Sequence, residues 1–116
     1  MPALNFKPRF VRAIERGFKR QTIRAKRKDG RDPKAGDLLY LYTGLRTKAV
    51  RSLGGRRCYS AEVINIYNST CVFYRGSFLN MDEREALAHA DGFSTWEEMI
   101  DFFKGRLPLF GLLIRW

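Results

Sequence analysis

Apolar residues at helical spacing predict a short helix near the start of the chain. They recur over residues 10–18, and Pro8 lies where it can open the helix. Gly17 can close the helix in a left-handed conformation. From Gln21 onward, apolar and polar residues alternate with a period of two, which indicates a strand.

The alternation after this helix separates neighbouring side chains onto two faces. Thr22 and Arg24 fall on one face of the predicted strand, and Ile23 falls on the other. Lys19 lies in the turn between the helix and the strand. If Ile23 points into the core, its two neighbours face a cleft beside Lys19.

Later segments predict further strands and two more helices. Strands are expected over 37–42, 58–67, 70–74 and 109–114. Asn80 and Ser94 begin capping-box patterns, each with a glutamate three residues later, and each pattern precedes an apolar helical stripe. The helices are therefore expected to start just after these two residues.

We expect an α+β fold in one domain over residues 1–116. About five or six strands would curl into a small barrel, with one helix entering it and two helices closing one side. Residues 45–57 carry five cations, no acid and the pair Gly54-Gly55, so we expect a long loop that is functional or disordered. A chain of 116 residues has enough apolar material for one core.

Charge is distributed unevenly along the chain. Lys and Arg total 22 against 12 Asp and Glu, for a formal net charge of +10. Eleven of the basic residues lie within 7–31, whereas seven acids lie within 82–101. Such a chain presents a positive face, which attracts polyanions by counterion release and steering.

Two basic runs favour a nucleic acid as the polyanion. Lys26, Arg27 and Lys28 form the first run and Arg56-Arg57 the second, although each run alone is also typical of a solvated loop. No apolar stretch approaches the roughly 18 residues of a membrane span, and no secretory segment is apparent. We therefore expect a cytoplasmic protein without a membrane partner. Two cysteines and one histidine match no zinc pattern, so we expect no metal and no cofactor.

Lys19, Thr22 and Arg24 together suggest a nucleophilic site. A threonine hydroxyl needs a neighbouring base, and an amine near other cations holds its proton less tightly. Lys19 lies three residues before Thr22 and beside Arg20, so it is placed to accept the threonine proton. Arg24 can bind a phosphate or stabilise an oxyanion. The alternative is structural, with Lys19 as a solvated turn residue and Thr22 as an ordinary strand residue.

Three motifs follow one another between residues 17 and 93. They are Gly-x-Lys-x-x-Thr-Ile-Arg at 17–24, Gly-Asp at 36–37 before an apolar strand, and Asp-Gly-Phe at 91–93. This order resembles the ASCH domain, a family with a PUA-like barrel. The runs 41–48 and 109–116 look like the compact branch of that family, which is common in prophages and phages.

The resemblance implies an enzyme that acts on a modified nucleoside. Some small ASCH proteins are amidohydrolases that remove the acyl group from N4-acetylcytidine with a lysine, a threonine and a later glutamate. The lysine and the threonine fall on Lys19 and Thr22. The acid falls on Asp91, which is one methylene shorter than glutamate, and Glu62 is the reserve candidate. Other members resemble ribonucleases or RNA readers, so a ribonuclease and a non-catalytic RNA-binding module stay open.

Residues after the second predicted strand are candidates for binding RNA. Tyr42 could stack on a base, Arg46 and Lys48 could meet phosphates, and Thr43 lies beside them at the expected barrel mouth. A core tyrosine and solvated loop charge are the alternative. A further hypothesis is a phage-encoded protein that masks a host factor without catalysis.

Overall fold

Eight strands and three α-helices form an α+β fold, seen in a computed structural model that describes residues 2–116. In chain order the elements are β1 (Ala3–Phe6), a 3-10 turn (Pro8–Phe10), α1 (Val11–Glu15), β2 (Gln21–Ala25), β3 (Leu38–Thr43), β4 (Arg51–Arg57), β5 (Ser60–Asn68), β6 (Cys71–Tyr74), β7 (Ser77–Phe78), α2 (Met81–Ala90), α3 (Trp96–Phe103) and β8 (Leu109–Arg115). The predicted α+β class is confirmed, but the strands number eight rather than five or six.

The strands form two sheets rather than a barrel. The smaller sheet has the order β1-β3-β4, with β1 parallel to β3, and the larger has the order β2-β8-β5-β6-β7 with antiparallel pairs. The predicted closed barrel is wrong, since no ladder joins the two sheets within residues 2–116. Because β3 pairs with β1 on one side and with β4 on the other, it has no free edge with which to join the larger sheet.

One hydrophobic core connects both sheets with the helices. Its buried side chains come from the three α-helices and from strands of both sheets, among them Ile14, Leu39, Leu87, Met99 and Leu113. Ile23 of β2 is 4% exposed, which confirms its predicted inward orientation. In the part of the chain that the structure describes, none of the helices combines the length and the apolar character needed to cross a bilayer.

The first helical segment is shorter than the periodicity predicts. The 3-10 turn and the five residues of α1 replace one longer helix. Gly17 ends it with φ of +77°, as expected, and the N–H groups of Phe18 and Lys19 donate to the carbonyl of Ala13. Phe18 is 76% exposed, so it does not belong to the apolar face. The left-handed glycine turns the chain so that Lys19, rather than Phe18, enters the interior.

Residues 51–57 form β4, which corrects the prediction of one long loop over 45–57. Leu53 is buried, and β4 pairs antiparallel with β3 across a register shift at Leu41 and Tyr42. The composition of this arginine- and glycine-rich segment does not indicate a strand. β4 forms because β3 supplies the partners for its backbone hydrogen bonds.

The two later helices have capped N-termini. Asn80 and Glu83 form the predicted capping box at the start of α2. The cap of α3 is Thr95, whose hydroxyl accepts a hydrogen bond from the N–H of Glu98 at 3.1 Å, rather than the predicted Ser94. Thr95 has the extended backbone that an N-cap requires, so the helix begins one residue later than expected.

Candidate functional site

A small cleft lies where β1 and the 3-10 turn meet the start of β2, the turn after α2 and the end of α3. Its volume is about 180 Å³. Lys19, Thr22 and Arg24 line it together with Asp91. The structure therefore brings the three predicted catalytic residues and the predicted anion-binding arginine to one place, although Lys19 and Asp91 are 72 positions apart in the chain.

Lys19 is a buried cation rather than the solvated turn residue of the alternative interpretation. Its exposed fraction is 2%. Its Nζ donates a short hydrogen bond to the main-chain carbonyl of Asp91 and lies 3.5 Å from Oδ1 of the same residue. The ring centroids of Phe6 and Phe10 lie 5.8 and 4.8 Å from Nζ. Lys19 is thus held by one acidic residue and two aromatic rings.

Asp91 is the C-cap of α2 and is 3% exposed. Nε2 of Gln21 donates to its Oδ1 at 3.5 Å. The next residue, Gly92, has φ of +96°, which favours glycine. A Cβ added at Gly92 would lie 3.1 Å from Cδ of Lys19, so this glycine also leaves space for the lysine side chain.

Burial shifts the pKa values of the ion pair in opposite directions. It lowers the pKa of Lys19 against the attraction of Asp91, and the nearby cations Arg24 and Arg9 lower it further. Burial also raises the pKa of Asp91 to about 6, although Lys19 and then Gln21 favour its charged form. The sequence interpretation attributed the lysine shift to neighbouring cations, but desolvation is the larger cause.

Thr22 and Arg24 share one face of β2, as the alternation predicts. Nε of Arg24 donates to Oγ1 of Thr22 at 3.1 Å, and Nη2 donates to the carbonyl of Asn5 at 2.6 Å. The guanidinium carbon lies 4.8 Å from the centroid of the Phe6 ring. Burial lowers the pKa of Arg24, against the attraction of Asp91. Thr22 is 5% exposed, so the cleft is where its hydroxyl can meet a ligand.

Lys19 and Thr22 share the cleft but not a hydrogen bond. Among the described residues, Nζ of Lys19 bonds to Asp91, and Oγ1 of Thr22 accepts from Arg24. A bound ligand or a water molecule between the two side chains would have to complete a proton path from the threonine to the lysine.

The sequence interpretation missed the aromatic walls of the cleft and part of its rim. Phe6, Phe10 and Phe102 supply the walls, and Lys7 and Arg106 also line the opening. The rings of Phe10 and Phe102 meet edge to face, with centroids 5.7 Å apart. Helical spacing signalled that Phe10 is buried, but no spacing in the sequence shows that these five residues meet.

The four residues predicted at a barrel mouth lie outside the cleft. Thr43 is buried, and its hydroxyl donates to the carbonyl of Phe6 at 2.7 Å. Tyr42 is half-buried, and Arg46 and Lys48 are exposed in the turn that follows β3. Thr43 lines a neighbouring groove that shares Asn5, Phe6 and Lys7 with the cleft, so the predicted role in binding RNA concerns a surface beside the Lys19 cleft.

Lys26, Arg27 and Lys28 are exposed in the loop after β2. The N–H of Arg27 donates to Oδ1 of Asp32 at 2.9 Å, and the N–H of Lys26 donates to the carbonyl of Phe110 at 3.2 Å. The predicted basic loop thus begins beside β8 and is held by backbone hydrogen bonds.

Glu62, the reserve candidate for the acid, also lies outside the cleft. Its carboxylate accepts hydrogen bonds from the Tyr74 hydroxyl at 2.7 Å and from two nitrogens of Arg75 at 2.9 and 3.0 Å. The bonds from Arg75 and then Tyr74 lower the pKa of Glu62. Of the two candidate acids, only Asp91 contacts Lys19 within the described residues.

No protein-family model, no curated protein and no solved structure matches this chain. The resemblance to the ASCH domain therefore stays a prediction, and the case for a function depends on the residues of the cleft.

Proposed function

We propose that this protein is an ASCH-type, PUA-like amidohydrolase that removes an acyl group from the N4 amine of a modified cytidine. The observation that carries the proposal is the buried ion pair of Lys19 and Asp91, which lies in one cleft with Thr22 and Arg24. A buried lysine with a lowered pKa is a usual form of catalytic base.

The first step is attack by the threonine on the acyl carbonyl. Burial favours the neutral amine of Lys19, and in that form Nζ accepts the threonine proton across the ligand-filled cleft while Oγ1 of Thr22 bonds to the carbonyl carbon. Arg24 donates to the oxygen that becomes negative in the tetrahedral intermediate. Asp91 holds the lysine in place and favours the ammonium form that results.

The second step releases the nucleoside. The bond between the carbonyl carbon and N4 breaks, and the ammonium of Lys19 returns its proton to the leaving amine. Thr22 then carries an acyl ester. Water attacks this ester with Lys19 again as the base, the threonine oxygen recovers a proton, and a carboxylic acid leaves.

The size and lining of the cleft suit a single heterocyclic ring. Pockets for drug-sized ligands hold about 300–1,000 Å³, and this cleft holds about 180 Å³. Phe6, Phe10 and Phe102 form walls against which a planar base can pack. The sugar and phosphate of a nucleotide would remain outside, beside the cations of the rim.

The test is release of acetate from N4-acetylcytidine. We expect Thr22→Val to lower the rate by orders of magnitude, because it keeps the β-branched shape and removes the nucleophile. Lys19→Met should lower it similarly. The control is Thr43→Val, which removes another buried hydroxyl from a strand but lies outside the cleft. The free energy of unfolding should fall by about 1 kcal/mol in each threonine variant.

Two results would contradict the proposal. Full activity in Thr22→Val would exclude the covalent mechanism. A parent protein that releases no acetate from the nucleoside or from acetylated RNA would exclude the enzyme.

A non-catalytic RNA-binding module is the second candidate. The separate hydrogen bonds of Lys19 and Thr22 favour it, because neither residue is arranged as a base and nucleophile before a ligand enters. Salt distinguishes the two functions. Phosphate-driven binding weakens steeply with ionic strength, whereas turnover of a free nucleoside depends on it only weakly.

A further inference from the structure

A second groove adjoins the Lys19 cleft and lies along β2 and the loop between α3 and β8. The two share four lining residues, Ile23, Arg24, Phe103 and Arg106, and the groove ends at Phe110. Its volume is about 410 Å³, which is larger than that of the cleft. The groove therefore adjoins the cleft, so a strand with one base in the cleft can run over the shared residues into the groove.

Two arginines lie where the cleft and the groove meet. The guanidinium of Arg106 lies over the rings of Phe102 and Phe103, 5.0 and 5.1 Å from their centroids, and its Nη2 donates to the carbonyl of Phe102 at 2.8 Å. Arg24 is held by Thr22 and Asn5. The junction is thus a fixed pair of cations, suited to an anionic group of the ligand.

An exposed aromatic pair lies at the far end of the groove. Phe110 is 52% exposed and Tyr67 is 39% exposed, and their rings meet edge to face with centroids 5.8 Å apart. Val63, on the same face of β5, is 48% exposed. These side chains are not part of the hydrophobic core. Covering them with a ligand would be favourable, because it removes apolar surface from water.

The basic loop starts beside Phe110, one member of this aromatic pair. The N–H of Lys26 donates to the carbonyl of Phe110, so the backbone of the run Lys26, Arg27 and Lys28 starts beside the backbone of Phe110. Aromatic rings interleaved with cations are the arrangement by which proteins hold single-stranded nucleic acid, since every base has a face that can stack. The arginines favour an anionic partner, and the aromatic walls of the small cleft favour a nucleobase over an acidic side chain.

We infer that a binding path for single-stranded RNA runs from the Lys19 cleft, past Arg24 and Arg106, to Phe110 and Tyr67. The inference rests on the proposed function only for the base placed in the cleft. Arg106 meets the phosphate next to that base, because Arg24 stays with the acyl oxygen at the N4 end of the ring. A neighbouring base stacks on the aromatic pair. The natural substrate is then a cytidine within a strand, and a duplex is excluded because its base faces are stacked and its bases paired.

Equilibrium binding of two unmodified probes tests the path. A labelled oligocytidylate should bind the parent protein more tightly than cytidine monophosphate does. Phe110→Leu should raise the Kd of the oligocytidylate about tenfold, because it removes a base–aromatic stack, and should leave the Kd of the mononucleotide unchanged. Tyr67→Leu should also raise the Kd of the oligocytidylate.

The matched control is Phe78→Leu. Phe78 is 62% exposed on β7, at the far edge of the same sheet, and it pairs edge to face with Phe73. Both probes should bind this variant as they bind the parent. An equal loss of oligocytidylate binding in Phe78→Leu would overturn the path, because it would show a general effect of exposed rings.

The path and the proposed function can fail separately. Parent-like oligocytidylate binding in both Phe110→Leu and Tyr67→Leu overturns the path, even if the protein releases acetate from free N4-acetylcytidine. Loss of oligocytidylate binding in these variants supports the path, even if the parent releases no acetate. Tighter binding of a duplex than of the single strand would also overturn it.

Discussion

At the scale of single residues, the chemistry of the cleft depends on Asp91. Its carboxylate is almost fully buried, and its neighbours are the ammonium of Lys19 and the amide of Gln21. Burial raises the pKa of Asp91 from its ordinary value of 3.8 to about 6. The folded protein therefore binds a proton at this carboxyl in a pH range where the unfolded chain has released it.

This shift predicts a pH dependence of stability with a definite sign. Because the folded pKa is raised, the contribution of Asp91 to stability is greatest below about pH 4 and is lost as pH rises through about 6. Asp91→Asn removes the titration. We expect the free energy of unfolding of the variant, minus that of the parent, to increase between about pH 4 and 6. Denaturant unfolding at several pH values measures it.

The exposed carboxylate of Asp101 on α3 provides the control. Asp101→Asn removes a carboxylate outside the cleft, and the same measurement on this variant is the reference for Asp91→Asn. A constant difference between Asp91→Asn and the parent would show that the Asp91 carboxyl titrates alike in the folded and unfolded chains.

At the scale of elements, β8 positions the residues of the cleft. It lies between β2 and β5 in the larger sheet, and Ala25 of β2 is paired with Gly111 of β8. A Cβ added at Gly111 would overlap the carbonyl oxygen of Arg24. The close approach of the two strands here therefore requires glycine, and β2 carries Thr22 and Arg24 on the same backbone.

Gly111→Ala is accordingly expected to destabilise the protein by about 2 kcal/mol, because the backbone of β2 must move away from β8. The same movement should displace Arg24 and reduce activity and ligand binding at the cleft. Gly55→Ala in β4 is the matched control, since the atom nearest to its added Cβ is Cδ1 of Leu38 at 3.4 Å. Denaturant midpoints of the two variants measure the difference. Equal denaturant midpoints for the two variants would mean that β2 can move away from β8 without a loss of stability.

At the scale of the whole molecule, the net charge of +10 should govern encounters with a polyanion. The basic loop at 26–28 starts beside Phe110 on the path inferred for RNA, whereas Arg46 and Lys48 lie in the turn after β3 and line neither the cleft nor the groove. The two sets of cations can therefore be tested independently.

Neutralising residues 26–28 together is expected to weaken binding of single-stranded RNA. For every phosphate that the loop no longer neutralises, the slope of log Kd against log salt concentration should fall by about 0.7. Titrations at several salt concentrations measure the slope for the parent, for this triple variant and for a variant that neutralises Arg46 and Lys48. If the triple variant keeps the parental slope, the loop at 26–28 is only solvated charge. A smaller slope in the double variant would then assign the phosphate binding to the turn that carries Arg46 and Lys48.

Local patterns in the sequence were sufficient for several elements. Period-two alternation identified β2 and the burial of Ile23, and the pattern of Asn80 with Glu83 identified the start of α2. These features depend on interactions between residues close in the chain. β1 and β7, with four and two residues, are too short to show a period, and each forms because a longer strand pairs with it.

By itself, the sequence determined the α+β class, the positive charge and the shared face of Thr22 and Arg24, because composition and local periodicity decide these properties. Only the tertiary structure decided that the sheets stay separate, that Lys19 is buried against Asp91, and that the cleft adjoins a groove lined by Phe110. The physical reason is that burial, desolvation and ion pairing depend on residues distant in the chain. Spacing along the sequence does not encode which of these residues meet.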